Sequence, residues 1–194
     1  MPILFEKDIE IAAKILKQGG VLVFPTETVY GIGVVYDSED SFNKLVSIKR
    51  RPPNKPFALM CSSSKEASVY IIANNKINAL MDKFLPGQIT FLVRAKDDLP
   101  HWVTLGTNII GIRVPESDYV CDLISRVGKP CLVTSANISG EPPALTYEEA
   151  INYIGDKVDL VIKDYGYTAA GRASTVVGFK NDEAVIYRQG DVII

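Results

Sequence analysis

Apolar residues recur at helical spacing at Ile9, Ala12, Ala13 and Leu16, and Gly19-Gly20 closes the run, so the pattern predicts a first helix over 8–18. Ser38 as N-cap, Glu39 and Asp40 in the first turn, and Phe42, Leu45 and Val46 on one face predict a second over 38–48. Short helices follow at 65–73 and 76–84, before Pro86-Gly87 breaks the pattern. Ser117 caps a further helix that carries Val120, Leu123, Ile124 and Val127 and stops at Gly128, and Thr146 with Glu149 makes a capping box for a last one through 154. Between these lie short apolar or alternating runs at 21–24, 57–61, 88–95, 109–114, 131–134, 158–162, 174–179 and 184–188, which read as strands. The stretch around His101 and Trp102 reads as loop. Helices and strands interleave without a repeat, a linker or a shift in composition. The expectation is therefore one α/β domain over 1–194, built on a mixed, open sheet with its antiparallel part near the C-terminus. Polar segments leave two of the buried strands, 26–31 and 135–143, and ligands of such sheets gather outside strand ends.

Composition changes this picture little. With 47% hydrophobic and 23% charged residues among 194, the chain can fill a full core, and disorder is excluded. Charges at Glu6, Lys7, Asp8, Glu10 and Lys14 break up the start, which argues against a signal peptide or membrane anchor and for a cytoplasmic protein. Cys61, Cys121 and Cys131 are odd in number and set among apolar neighbours, the manner of reduced core thiols rather than of disulfides or zinc ligands. A net charge of −2 argues against a dedicated nucleic-acid binder, although a basic patch can still touch RNA.

One such patch exists. In Ile48-Lys49-Arg50-Arg51-Pro52-Pro53-Asn54-Lys55-Pro56-Phe57 four cations crowd into a turn stiffened by three prolines, an arrangement with few conformations to lose on binding an anion. Dipole complementation at a helix C-terminus accounts for Lys49 and Arg50 but not for Arg51 and Lys55. Lys49 and Arg51 are expected on a polar loop outside the core, where alanine would leave the fold intact. Arg113 and Arg188 end apolar runs, and a guanidinium in such a place needs a carboxylate or phosphate; an internal salt bridge and a bound ligand satisfy it equally. Thr26, Thr28, Ser135, Asn137, Ser139, Ser174 and Thr175 add neutral donors and acceptors, though turns are built from the same residues. Gly31-Ile32-Gly33 lacks the third glycine of a dinucleotide fingerprint, and neither a P-loop nor a G-x-S-x-G elbow occurs. His101, the only histidine, suits packing or surface better than acid–base work.

Together, Pro25-Thr26-Glu27-Thr28-Val29-Tyr30-Gly31, Lys49-Arg50-Arg51-Pro52, Gly111-Ile112-Arg113-Val114-Pro115, Ser135-Ala136-Asn137-Ile138-Ser139-Gly140, Ser174-Thr175-Val176-Val177 and Arg188-Gln189-Gly190 resemble, nearly end to end, the YrdC-like threonylcarbamoyl-AMP synthases. The pairing of K-x-R (Lys49, Arg51) with a distant S-x-N (Ser135, Asn137) is that family's signature. The resemblance implies a single-domain YrdC-like fold, an open twisted sheet of mixed parallel and antiparallel strands with flanking helices. It implies an enzyme, a nucleotidyltransferase joining L-threonine, bicarbonate and ATP with release of pyrophosphate. The product would feed a tRNA-modifying transferase complex that makes threonylcarbamoyladenosine. Lys49, Arg51, Ser135 and Asn137 would be catalytic and, with Lys55 and Arg188, would bind ATP; Thr26, Arg113 and Thr175 would bind threonine. Mg²⁺ would arrive with ATP, held by phosphates and water rather than by a protein metal site.

Two departures stand out. Many relatives carry a histidine near Leu59-Met60-Cys61, and longer ones a C-terminal lid domain that a chain ending at Ile194 is expected to lack. A paralogous branch loses the K-x-R and S-x-N residues, which this sequence keeps. The competing reading is a double-stranded RNA- or tRNA-binding protein of the same fold without synthase activity, using the basic surface at 49–55. Carbamoyl transfer in a hydrogenase-maturation protein would need acylphosphatase and zinc-finger segments that are absent from this sequence.

Overall fold

The computed structural model describes residues 8–163 and 169–194; Glu6 and Lys7, counted above, lie outside the described residues. The chain opens with α1 (Ile9–Lys17), β1 (Leu22–Phe24) and β2 (Gly31–Val35), then α2 (Glu39–Lys49), whose first turn is closed by Ser38 Oγ accepting from the Ser41 amide. Arg50 ends α2 in the left-handed region at φ +47°, turning the chain toward β3 (Ala58–Met60). After α3 (Ser64–Ser68) and β4 (Ile71–Ile72), α4 (Asn75–Phe84) starts on an Asn74 cap, and β5 (Ile89–Ala95), α5 (His101–Thr104) and β6 (Ile109–Arg113) follow. The helix α6 (Asp118–Val127) runs from its Ser117 cap to Gly128 at φ +80°. Next come β7 (Cys131–Ser135) and α7 (Tyr147–Ile154), with the Thr146/Glu149 capping box formed, then β8 (Leu160–Val161), β9 (Thr175–Lys180) and β10 (Glu183–Arg188).

All the described strands join one sheet in the order β10-β9-β5-β6-β3-β7-β2-β1-β8, with β4 added on β5. Period-two alternation sends neighbouring residues to opposite faces. Leu22, Phe24, Met60, Cys131 and Val133 pack under α1 and α6, whereas Val23, Ile32, Val34, Leu59, Leu132, Ile89 and Phe91 pack against the helices of the other face, through Leu45 of α2, Met81 of α4 and Ala150 of α7. The mixed, open sheet with flanking helices is as expected. Cys61 and Cys131 are buried, Cys121 is half-buried and all three are free, as core thiols should be. No described helix is long and apolar enough to cross a membrane.

The structure corrects several details. Antiparallel pairing is not confined to β9 and β10 but recurs at β1/β2, β2/β7, β3/β7 and β5/β6. The segment after Tyr30, to which the pattern assigns no element, is β2, a fully buried strand between β1 and β7. It needs Gly33 because a Cβ there would stand 3.0 Å from Val133 Cγ2 and 3.3 Å from the Leu132 carbonyl. The helix expected over 65–73 ends at Ser68 and gives way to β4, and the loop around His101 and Trp102 holds α5.

Candidate active site

The helices α1 and α6 cover only part of their side of the sheet. Beside them the bare sheet face forms the floor of a cleft of about 360 Å³, made of Gly31 on β2, Val133 on β7, Ala58 and Met60 on β3, Gly111 on β6, Thr90 and Leu92 on β5, and Val176 on β9. The expectation of a site beyond the strand ends is thereby corrected, since the polar loops form walls around a floor that is the sheet itself. Small residues keep that floor low. A Cβ on Gly111 would already meet Thr90 Cγ2 at 3.3 Å, and any longer side chain there would rise into the cleft.

One wall unites the two halves of the K-x-R and S-x-N pattern. Lys49 is the last residue of α2 rather than part of an outlying loop, and its side chain is buried. Its ammonium donates to the Ser135 carbonyl at 2.5 Å and to Asn137 Oδ1 at 2.6 Å. Asn137 Oδ1 also accepts from Ser135 Oγ at 2.8 Å, its amide nitrogen donates to the Glu141 carbonyl, and the Ser139 amide donates to the Lys49 carbonyl at 2.8 Å. Lysine, serine and asparagine thus form one interlocked unit, which explains why they occur together. Burial first, then Arg51 and Lys55, pulls the Lys49 ammonium down to about 7.

Arg51 lies over the Phe57 ring at 4.2 Å and braces its own loop, donating through Nε to the Lys55 carbonyl (2.8 Å) and through Nη2 to the Pro56 carbonyl (2.5 Å). Its Nη1 reaches Thr134 Oγ1 at 3.3 Å. Burial lowers its pKa to about 10, so it remains charged at neutral pH. Lys55 and Ser139 complete this wall, and the buried Ser139 hydroxyl has no partner among the described residues.

Arg113 and Arg188 line the opposite side. Arg188 donates to the Ser174 carbonyl at 3.0 Å and to Ser174 Oγ at 3.2 Å, and Ser174 Oγ is bonded to Thr90 Oγ1 at 2.8 Å. Its pKa is lowered by burial and then by the neighbouring charge of Arg113. Arg113 meets the internal carboxylate that was one of its two possible satisfactions: Nη2 donates to Glu27 Oε1 at 2.7 Å and to Thr28 Oγ1 at 2.8 Å. Sequence reasoning did not single out Glu27, although it is the only acid in the polar segment after β1.

The proposed threonine contacts separate. Thr26 lines the cleft, but its hydroxyl donates to the Val29 carbonyl at 2.6 Å and accepts from the Thr28 and Val29 amides at 3.2 and 3.3 Å, so it shapes the turn. Thr175 lies behind the wall, fully buried; its hydroxyl donates to the Val192 carbonyl at 2.9 Å and accepts from the Gly190 amide at 3.0 Å. Met60 stands on the floor of the cleft, and exposed His101 is not among its described lining residues.

The lining holds Lys49, Arg51, Lys55, Arg113 and Arg188 and, among the described residues, no carboxylate. No group of three or more His, Cys, Asp or Glu gathers among the described residues to cage a metal ion. This donor set does not suit a protein-held divalent cation. It suits an anion.

The Sua5/YciO/YrdC family model, described as telomere recombination, matches residues 14–190. A threonylcarbamoyl-AMP synthase of Vibrio campbellii is 32% identical over 160 residues, covering 81% of this chain and 86% of the relative. Among solved structures, P. abyssi Sua5 complexed with L-threonine superposes with a TM-score of 0.90 at 28% identity, over 97% of this chain; the chain spans 57% of that longer protein. E. coli YciO superposes with a TM-score of 0.88 at 27% identity, over 98% of this chain and 97% of the other. With the match running from α1 to the end of β10, through every wall of the cleft, the chain belongs to the Sua5/YciO/YrdC family.

Proposed function

We propose that this chain is an L-threonylcarbamoyl-AMP synthase, a nucleotidyltransferase that joins L-threonine, bicarbonate and magnesium-ATP. The observation that carries the reading is a cleft with five cations and no carboxylate on its described lining, one of them a buried lysine locked to Ser135 and Asn137. Relatives named threonylcarbamoyl-AMP synthase, and the L-threonine complex of P. abyssi Sua5, support it.

In this reading the carboxylate of threonine lies on Arg113 while the triphosphate lies along Lys49, Arg51, Lys55 and Arg188. The threonine amine attacks carbon dioxide released from bicarbonate with loss of water; one C=O π bond opens onto oxygen and the nitrogen gives up a proton to solvent, which leaves a carbamate. A carbamate oxygen then attacks the α-phosphorus as the bond to the β-phosphate oxygen breaks, and pyrophosphate departs with the electron pair. Both steps need reactants held in line and charge neutralised, which fixed cations and neutral donors supply. The adenylate would then serve a tRNA-modifying transferase.

The test is pyrophosphate release with labelled bicarbonate. Label should enter an AMP-linked product, and degassed buffer without bicarbonate should stop release; release that continues there would reduce the protein to an ordinary amino-acid adenylating enzyme. Serine should replace threonine less well, since one methyl group in an apolar pocket contributes roughly 1 to 3 kcal/mol. Arg113→Ala should weaken threonine more than ATP, and Arg51→Ala the reverse.

A further inference from the structure

Glu27 stands apart from the charges that line the cleft. It is buried, absent from the lining, and placed behind Arg113. Its backbone is held by one neighbouring segment: the Ala170 amide donates to the Glu27 carbonyl and the Gly171 amide to the Thr28 carbonyl, each at 3.0 Å. Below it the Thr26 hydroxyl gathers the Thr28 and Val29 amides. Proton bookkeeping then fixes the direction of the hydroxyl chain. Thr26 Oγ1 gives its single proton to the Val29 carbonyl, so in the 2.9 Å bond between the two hydroxyls Thr28 must donate. A lone pair of Thr28 Oγ1 therefore faces Arg113 Nη2, which completes a relay of donors running from Arg113 through Thr28 and Thr26 to Val29.

Both acceptors of Arg113, Glu27 Oε1 and Thr28 Oγ1, take hydrogens from the same nitrogen, Nη2. The rest of the guanidinium is left over: the buried Nε has no partner among the described residues, nor has Glu27 Oε2. Anchoring one corner of a planar fork fixes its tilt while Nη1, which none of these bonds uses, stays available for a carboxylate.

We infer that Glu27 is a positioning residue for the amino-acid substrate. It clamps Arg113 by one corner from behind the cleft, so that Nη1 faces the substrate carboxylate. The inference rests on the synthase reading for the identity of that substrate as L-threonine. It makes the length of the Glu27 side chain, and the hydrogen bond it accepts, more important than its charge.

Calorimetric binding of L-threonine and of ATP to the intact protein tests this without requiring turnover. Glu27→Ala should weaken L-threonine on the order of tenfold, the equivalent of one lost charge-assisted contact, and change ATP less than twofold. Glu27→Gln keeps an acceptor at the same reach and should recover most of that loss, even if it melts lower because a buried guanidinium has lost its counter-ion. Glu27→Asp keeps the charge but draws the acceptor back, and should resemble alanine. The reverse order, with aspartate near normal and glutamine as poor as alanine, would establish a counter-ion and overturn positioning. Equal weakening of both ligands in every variant would reduce Glu27 to a packing role. Should pyrophosphate release prove independent of bicarbonate, the synthase reading falls, while the order of the variants in L-threonine binding still decides the role of Glu27; a protein that binds no L-threonine overturns both.

Discussion

Lys49 lies at the end of a helix whose sequence points it toward a solvated loop, yet it is buried against Ser135 and Asn137 with its ammonium pulled down to about 7. The folded value lies below the ordinary lysine value of 10.5, so the charged form is the one folding disfavours. Its unfavourable contribution is complete below pH 7 and is relieved as pH rises from about 7 toward 10.5. A bound polyphosphate reverses that preference. At pH 8, where the free lysine is mostly neutral, ATP binding should take up a proton and weaken as pH rises further. Binding enthalpies in buffers of different ionisation enthalpy check this, and Lys49→Met should abolish the uptake. The burial also revises the expectation that alanine at 49 or 51 spares the fold. Lys49→Ala takes the ammonium from the Ser135 carbonyl and leaves Asn137 Oδ1 with only the bond from Ser135 Oγ, and at about 2 kcal/mol for a lost charged bond should lower Tm by roughly 4 to 8 °C. Arg51→Ala, which gives up carbonyl bonds within its own loop, one long bond to Thr134 and the Phe57 ring contact, should lower Tm less. Thermal melts of the two variants decide the order.

Elements whose signals are local were legible in the sequence. Ser38, Ser117 and Thr146 cap α2, α6 and α7 through their own side chains, and Gly128 stops α6 as its position suggests. The strand β2 was not legible, because its reason for existing is a neighbour far along the chain. Gly31 and Gly33 look like turn residues in isolation, whereas in the sheet they admit Val133 and the Phe24 ring. The same cause hid the location of the site. Sequence order suggests loops beyond strand ends, but α1 and α6 leave the sheet face over β6, β5 and β9 bare, and Gly31, Ala58 and Gly111 keep it open. Gly111→Val should fill this floor. Its added methyls project into the cleft while its Cβ asks only a few tenths of an ångström of Thr90 Cγ2, so ligand binding should fall at least tenfold with a small change in Tm. A large loss of stability with binding intact would mean that the floor is core rather than site.

At the scale of the whole molecule, a net charge of −2 coexists with five cations around a single cleft. The identity of those residues was legible as a pattern, but their convergence was not, since Lys49 and Asn137 are separated by 88 positions and Arg113 and Glu27 by 86. Convergence is what separates a nucleotide site from an RNA-tracking surface. An RNA backbone needs cations spread along a path and loses affinity steeply with salt, whereas here they surround a cleft of about 360 Å³ with neutral donors between them. ATP with L-threonine at about a hundred times Kd should therefore add roughly 2.7 kcal/mol of stability, or about 5 to 10 °C in Tm for a chain of this size. A short RNA duplex at physiological salt should add little, and what it adds should vanish at higher salt. If the duplex gives the larger shift while the small ligands give none, the cations around Lys49 are an RNA surface and the synthase reading fails.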